Sequence, residues 1–389
     1  MAFHRAKRIA AIEVSEIARL TEAAAEMRAE GIDVVALSTG EPDFATPAHV
    51  IEAAHAAALQ GQTRYPATRG TAPLRAAIAE VAGADPAEVI VSTGAKQVLA
   101  NAMLASLDPG DEVIIPAPYW TSYPDIVAMA GGRPVAVACP MAQGFKLTPE
   151  ALAAAITPRA RWLVLNTPSN PSGALYSEAE LGALAEVLGQ HPDIMVLADE
   201  IYAHLAYTAF RSFRDVAPAL RDRVLIVNGV SKAYAMTGWR IGWGVGPRPL
   251  IDAMTAVQGQ ITSGASSISQ AAALAALTGP QDLLAERLAV LRDRRDGVVA
   301  RLAAMPGVRC PVPDGAFYVF PNVEDAMARL GFDTDGAFCA ALLEHRQLAV
   351  VPGSAFGLPG HLRLSFAYST EDLDRGLSRI AEFLGAEHA

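Results

Sequence analysis

The sequence predicts an α/β fold, a largely parallel sheet covered by helices on both faces, with a second, smaller α+β unit attached. Three observations carry this prediction. Short strands made almost wholly of apolar residues alternate with helical segments up to about residue 230, as strands buried on both faces require. The chain has 389 residues, more than one small core accommodates. After about residue 275 the pattern changes to a long Ala/Leu/Arg-rich helix followed by scattered short strands.

In order along the chain, SEIARLTEAAAEMRAE (15–30) sets Ile17, Leu20, Ala24 and Met27 at helical spacing, and Gly31 stops the helix. VVALSTG (34–40) is a short strand that runs into the turn-rich GEPDF. VIEAAHAAALQ and PLRAAIAEVAG are helical, EVIVST is a strand, and KQVLANAMLASL is a helix ended by DPGD. The strands DEVIIPA, RPVAVAC and ARWLVLNT follow, then the helix SEAELGALAEVL and the strands IMVLADE and RVLIVNGV. QDLLAERLAVLRDRRDGVVARLAAM (281–305) is a long helix, GAFYVF, LAVVPG and LRLSFA are strands, and an amphipathic helix ends the chain. The N-terminal helix joins the smaller unit, because the chain enters the sheet unit only near residue 47. The expected division is an arm at 1–13, a small unit at 14–46 and 290–389, and a large unit at 47–289.

Composition narrows the function classes. Hydrophobic residues make up 52% and charged residues 19%, so a disordered chain is excluded. A net charge of −10 without a Lys/Arg run disfavours nucleic acid as a partner. Cys139, Cys310 and Cys339 are well separated, with no CxxC pair. This argues against a zinc site and suits a reducing cytoplasm. Every apolar stretch is short or broken by charge, so neither a signal peptide nor a membrane span is expected.

The segment GVSKAYAMTGWRIG (229–242) holds the most chemistry. Lys232 directly follows a strand, at the sheet edge where open α/β folds hold ligands. Arg240 comes eight residues later, and its planar fork of donors suits a phosphate dianion. A lysine able to lose its proton beside a cation for phosphate is what an aldehyde-phosphate cofactor requires. Asp199 and Tyr202 in LADEIYAH follow another apolar strand, and a buried carboxylate there needs a cationic partner. Asn170 lies on the turn NTPSNPSG, Trp120 follows a strand in APYW, and Gly94–Ala95 stand where a strand passes into a helix. Such a junction binds anions through free N–H groups and the helix dipole.

These stretches, together with TGAKQ and APYWTSYPDIV, resemble the class I aminotransferases, most closely the bacterial aspartate aminotransferase branch. The resemblance runs from GEPDF near residue 40 to LRLSFA near 366. It implies fold type I, with a mostly parallel seven-stranded sheet between helices, and pyridoxal 5'-phosphate as cofactor. Lys232 is implied as the Schiff-base lysine, Asp199 as the partner of the pyridine nitrogen, and Tyr202 and Asn170 as contacts of the ring oxygen. Trp120, in preference to Tyr119, is implied as the stacking residue. Gly94, Ala95, Ser231 and Arg240 are implied as the phosphate site, and Tyr65 as a contact of the neighbouring subunit's phosphate. A homodimer with shared active sites follows from that last role. Gly40, Asn170, Trp120 and Arg363 are implied at the substrate's α-carboxylate end. Lys96, otherwise a solvated first-turn lysine, is implied at its distal carboxylate.

The expected activity is ping-pong transfer of the amino group of L-aspartate to 2-oxoglutarate, with the freed Lys232 amine acting as base and acid. The alternatives are an aromatic or prephenate aminotransferase, a carbon–sulfur β-lyase on the same fold, and a non-catalytic effector-binding module. The last is disfavoured because the matching region leaves no room for an N-terminal DNA-binding domain. Two departures from the family stand out. Gly229 replaces the serine of the animal-type enzymes, and the connection before EVIVST is short. GWGVG (242–246) resembles a dinucleotide loop but opens no βαβ unit.

Overall fold

Burial on both faces explains why the strands read as unbroken apolar runs. The protein is described by a computed structural model covering residues 4–10, 12, 14 and 16–385. Its strands are β1 (Val35–Ala36), β2 (Val89–Thr93), β3 (Glu112–Ala117), β4 (Arg133–Ala138), β5 (Ala160–Asn166) and β6 (Met195–Asp199), followed by β7 (Val224–Gly229), β8 (Ile241–Val245), β9 (Tyr318–Val319), β10 (Leu348–Ala349), β11 (Val351–Pro352) and β12 (Leu362–Ser365). The large sheet has seven strands in the order β2-β8-β7-β6-β5-β3-β4. Its strands run parallel except β8, which is antiparallel to both neighbours.

Alternate residues of each strand feed two different cores, as the two-residue period dictates. Val224 and Ile226 pack with Val196 and Ala198 against the helices Ala48–Leu59, Ala72–Ala82, Glu178–Gly189 and Ser267–Thr278. Leu225 and Val227 pack with Leu197 and Val113 against Ala95–Ser106, Ser122–Met129 and Arg248–Ile261. A third core joins β9, β10 and β12 to the helices Asp335–Arg346 and Thr370–Phe383. The long helix Asp282–Ala303 is continuous through the expected boundary at residue 290. Its first turn (Leu283, Leu284) packs on the first sheet core, while Leu291, Val298 and Leu302 enter the third. Arm residues 1–3, 11 and 13 lie outside the described residues.

Two differences from expectation bear on the site. The strand predicted over 34–40 is a paired ladder only at Val35–Ala36. Beyond it, Leu37 N–H donates to Ala349 and its carbonyl accepts from Ser365, which ties the segment to two sheets at once. IGWGV, which the sequence reading left without an element, is strand β8. A Cβ on Gly242 would collide with the backbone of Gly94 and Ala95, so the glycine marks a close backbone approach. No helix among the described residues is long and apolar enough to cross a membrane. Those residues also contain no His/Cys/Asp/Glu cluster suited to a metal.

Candidate active site

Parallel strands deliver the segments that follow them to one edge of the sheet. β2 leads to Gly94, Ala95 and Lys96, and β3 to Trp120. β5 leads to Asn170, β6 ends on Asp199, and β7 leads to Ser231 and Lys232. Because β8 is antiparallel, it starts at this same edge, and Arg240 immediately precedes it. The segment after β1 adds Gly40, and β12 adds Arg363. These residues, except Gly94 directly behind, line one cavity of about 330 Å³.

Lys232 is part-buried, and its Nζ donates to the Gly40 carbonyl at 2.7 Å. Burial first, and then the Arg363 cation, lower its pKa to about 8, so the amine can become neutral near physiological pH. Arg240 adopts φ 56° and donates from Nη1 to the Thr237 carbonyl at 2.8 Å. Gly94 (φ 79°) caps the helix Ala95–Ser106 without a side-chain bond, and a Cβ there would collide with the Arg240 guanidinium. A helix start thus opens beside a guanidinium and the buried Ser231. That combination favours a dianion.

Asp199 is buried, and its Oδ2 accepts from Tyr123 Oη at 2.7 Å while Oδ1 accepts from the Ile201 N–H at 3.2 Å. Desolvation outweighs both donors and raises the carboxyl pKa to about 6. Its backbone carbonyl accepts from Asn166 Nδ2 at 2.9 Å, and Asn166 Oδ1 in turn accepts from Asn170 N–H at 2.7 Å. Tyr202 Oη lies 3.0 Å from Tyr318 Oη. The Trp120 ring meets Tyr123 edge-on, with centroids 5.5 Å apart, and Lys96 Nζ sits 4.7 Å from the Trp120 centroid. Partial desolvation and Arg240 lower the Lys96 pKa, against the pull of Asp125.

Arg363 is 1% exposed and lies between the rings of Tyr318 and Phe356, at 4.6 and 5.0 Å. Nη1 donates to Asn170 Oδ1 at 3.0 Å and Nη2 to the Ser38 carbonyl, while Nε has no partner. Among the described residues no carboxylate pairs with it. A buried guanidinium held only by neutral acceptors favours an incoming carboxylate.

Tyr65 stands apart, 93% exposed and outside the cavity. The sequence motifs give no role to Tyr123, Asn166 and Tyr318, which also line it, along with Ile17, Thr39, Glu41, Ile201 and Thr237. Tyr123 stands three residues after Trp120 in APYWTSY, and Tyr318 sits within GAFYVF. In each case a helical or strand period was the available signal.

Comparison with known proteins agrees with this geometry. The pattern of the aminotransferase class I and II family matches residues 32–380. An aspartate aminotransferase of Rhizobium meliloti is 53% identical, covering 97% of this chain and 96% of that protein. An aspartate/prephenate aminotransferase of Cereibacter sphaeroides is 48% identical over 96% of this chain and 97% of its own. The crystal structure of the Rhizobium meliloti aspartate aminotransferase superposes with a TM-score of 0.95 at 52% identity, covering 99% of this chain and 100% of that one. The Thermus thermophilus enzyme with maleate gives 0.92 at 41% identity, over 98% and 100%. With a lysine, a buried acid and an anion-seeking arginine gathered at one sheet edge, and with relatives alike over nearly the whole chain, this protein belongs to the class I and II aminotransferases.

Proposed function

We propose that this chain is a pyridoxal-phosphate-dependent aspartate aminotransferase, passing the amino group of L-aspartate to 2-oxoglutarate by a ping-pong route. The observation that carries this reading is the convergence of Lys232, Asp199 and Arg363 on one cavity. The residues fit the cofactor. Asp199 is a buried carboxylate with no cation in contact among the described residues, Arg240 and the start of Ala95–Ser106 leave an anion cradle, and Trp120 offers a flat face. When bound, the cofactor supplies an electron-withdrawing ring that takes up the charge left at the substrate's α-carbon.

The chain's own residues do the rest. Asp199, as a carboxylate, would accept a hydrogen bond from the protonated ring nitrogen and so keep it charged. Tyr202 and Asn170 orient the ring through its oxygen, and Ser231, Gly94, Ala95 and Arg240 hold the phosphate. Arg363 receives the α-carboxylate, with Gly40 and Asn170 beside it, and Lys96 receives the distal one. Lys232, whose pKa of about 8 lets its amine lose a proton near neutral pH, would take the α-proton on Nζ and give it back later in the turnover. The second substrate reverses these steps on the same residues.

The large unit spans 47–289 and the small unit 14–46 and 290–389, with Asp282–Ala303 shared between their cores. The exposed Tyr65 serves the site of a second copy, which makes a homodimer the working unit. Three free thiols, two of them buried, suit the reducing cytoplasm.

A second reading, acceptance of aromatic or prephenate-like substrates, is favoured by the state of Lys96. It rests over Trp120 rather than in an ion pair among the described residues, so it can swing aside for a neutral side chain. Steady-state kinetics of Lys96→Ala tests both readings. For aspartate kcat/KM is expected to fall about 100-fold, and for phenylalanine to stay within about threefold. Equal losses on both substrates would contradict the role given to Lys96.

A further inference from the structure

Tyr318, within GAFYVF, is given no role by the sequence motifs, yet three contacts meet on it. Its hydroxyl lies 3.0 Å from that of Tyr202, and its ring carries the Arg363 guanidinium at 4.6 Å. The same hydroxyl is pressed against Gly40, where a Cβ would have no room. Gly40 is also the residue whose carbonyl accepts from Lys232. Tyr318 is 1% exposed, so none of these contacts is loosened by water.

Proton counting gives the arrangement a direction. A phenol has one proton to donate and lone pairs to accept with. Once Tyr202 spends its proton on an acceptor in the cavity, the bond between the two phenols survives only with Tyr318 as donor. A cation against the ring of that donor makes its hydroxyl more acidic and so strengthens the donation, and chained hydrogen bonds polarise one another. A carboxylate arriving at Arg363 neutralises the cation and weakens the chain.

We propose that Tyr318 is a positioning residue that relays the occupancy of Arg363 to the Tyr202 hydroxyl, and through it to the ring oxygen of the cofactor. The proposal rests on the cofactor reading above. It adds a second path between the carboxylate site and the ring, separate from the Arg363–Asn170 bond. The ionisable groups acting on Tyr318 are Arg363, Tyr202 and Tyr368, and only Arg363 changes its pairing when substrate binds.

The test uses Tyr318→Phe, which keeps the ring under Arg363 and removes only the hydroxyl. The absorbance of the cofactor-loaded enzyme is titrated with pH, with and without maleate as an unreactive dicarboxylate. Weaker donation leaves negative charge on the ring oxygen less stabilised, so the bound lysine nitrogen keeps its proton to higher pH. The spectroscopic pKa is therefore expected to rise by about half a unit. Its response to maleate is expected to shrink while the maleate Kd stays within about threefold. Tyr202→Phe is expected to shift the titration further, and adding Tyr318→Phe to it is expected to do nothing more, since the relay then has no outlet.

A Tyr318→Phe titration identical to wild type, or additive shifts in the double variant, overturns the relay. A wild-type protein with no lysine-bound absorbance band overturns the cofactor reading instead, and the relay with it.

Discussion

Asp199 and Glu200 are consecutive, both acidic and both nearly fully buried, yet the fold raises their pKa values to different extents, to about 6 and about 8. Asp199, the last residue of β6, faces the cavity with Tyr123 Oη and the Ile201 N–H as donors. Its pKa of about 6 leaves it ionised at neutral pH and ready for a cation. Glu200 turns away from the cavity, and its Oε1 accepts from Ser212 Oγ at 2.9 Å and the Phe213 N–H at 3.0 Å. Burial, reinforced by Asp215 and Asp199, still raises its pKa to about 8, so it stays largely a neutral acid. Burial alone therefore does not make a catalytic carboxylate. What separates the pair is the space each opens on: Asp199 lines the cavity that holds Lys232 and Arg240, whereas Glu200 lines a different one beside Arg211 and Arg214.

Substitutions can break this contrast. The largest effect is expected from Asp199→Asn, which keeps the shape but cannot hold a protonated ring nitrogen. Its kcat/KM should fall about 1000-fold, while Glu200→Gln stays within about threefold, both read by coupled steady-state assay. Comparable losses for the two would remove the distinction.

Tyr123→Phe comes next. It deletes one donor to Asp199, which raises the carboxyl pKa further. The acidic limb of the kcat/KM profile is expected to move to higher pH, with a loss of about fivefold at pH 7. An unshifted limb would show that Tyr123 only fills space.

The smallest effect concerns stability. Glu200 has a folded pKa above its usual value, so the folded state binds the extra proton between about pH 4.5 and 8. Its contribution therefore declines as pH rises through that window and is lost above it. The neutral Glu200→Gln should gain on wild type from pH 5 to pH 9, by a few degrees in Tm measured by calorimetry. A constant difference would mean that Glu200 does not titrate there.

Much of the site could be read from sequence because each group sits just past an apolar strand. That holds for Lys232, Asp199, Asn170, Trp120 and Gly94, and parallel strands bring such segments together without further information. Arg240 lines the cavity too, but its position depends on the antiparallel β8, whose glycines mask it as a strand. Tyr123 and Tyr318 were missed for a different reason. Each reads as an ordinary core aromatic, and only the tertiary fold shows that their hydroxyls end on Asp199 and Tyr202. Tyr65 lies beyond any single-chain reading, since its proposed role needs a second copy. The unit boundary at 290 falls inside a helix because Asp282–Ala303 serves two cores with one uninterrupted period.

The central claim, that Lys232 holds the cofactor and works on aspartate, is tested most directly by the visible absorbance of the purified protein beside Lys232→Ala. The account predicts a pH-sensitive band in the wild type that bleaches with L-aspartate and returns with 2-oxoglutarate, and no such band bound to the variant. A wild type that takes up no cofactor, or a variant that bleaches and recovers as the wild type does, would contradict it.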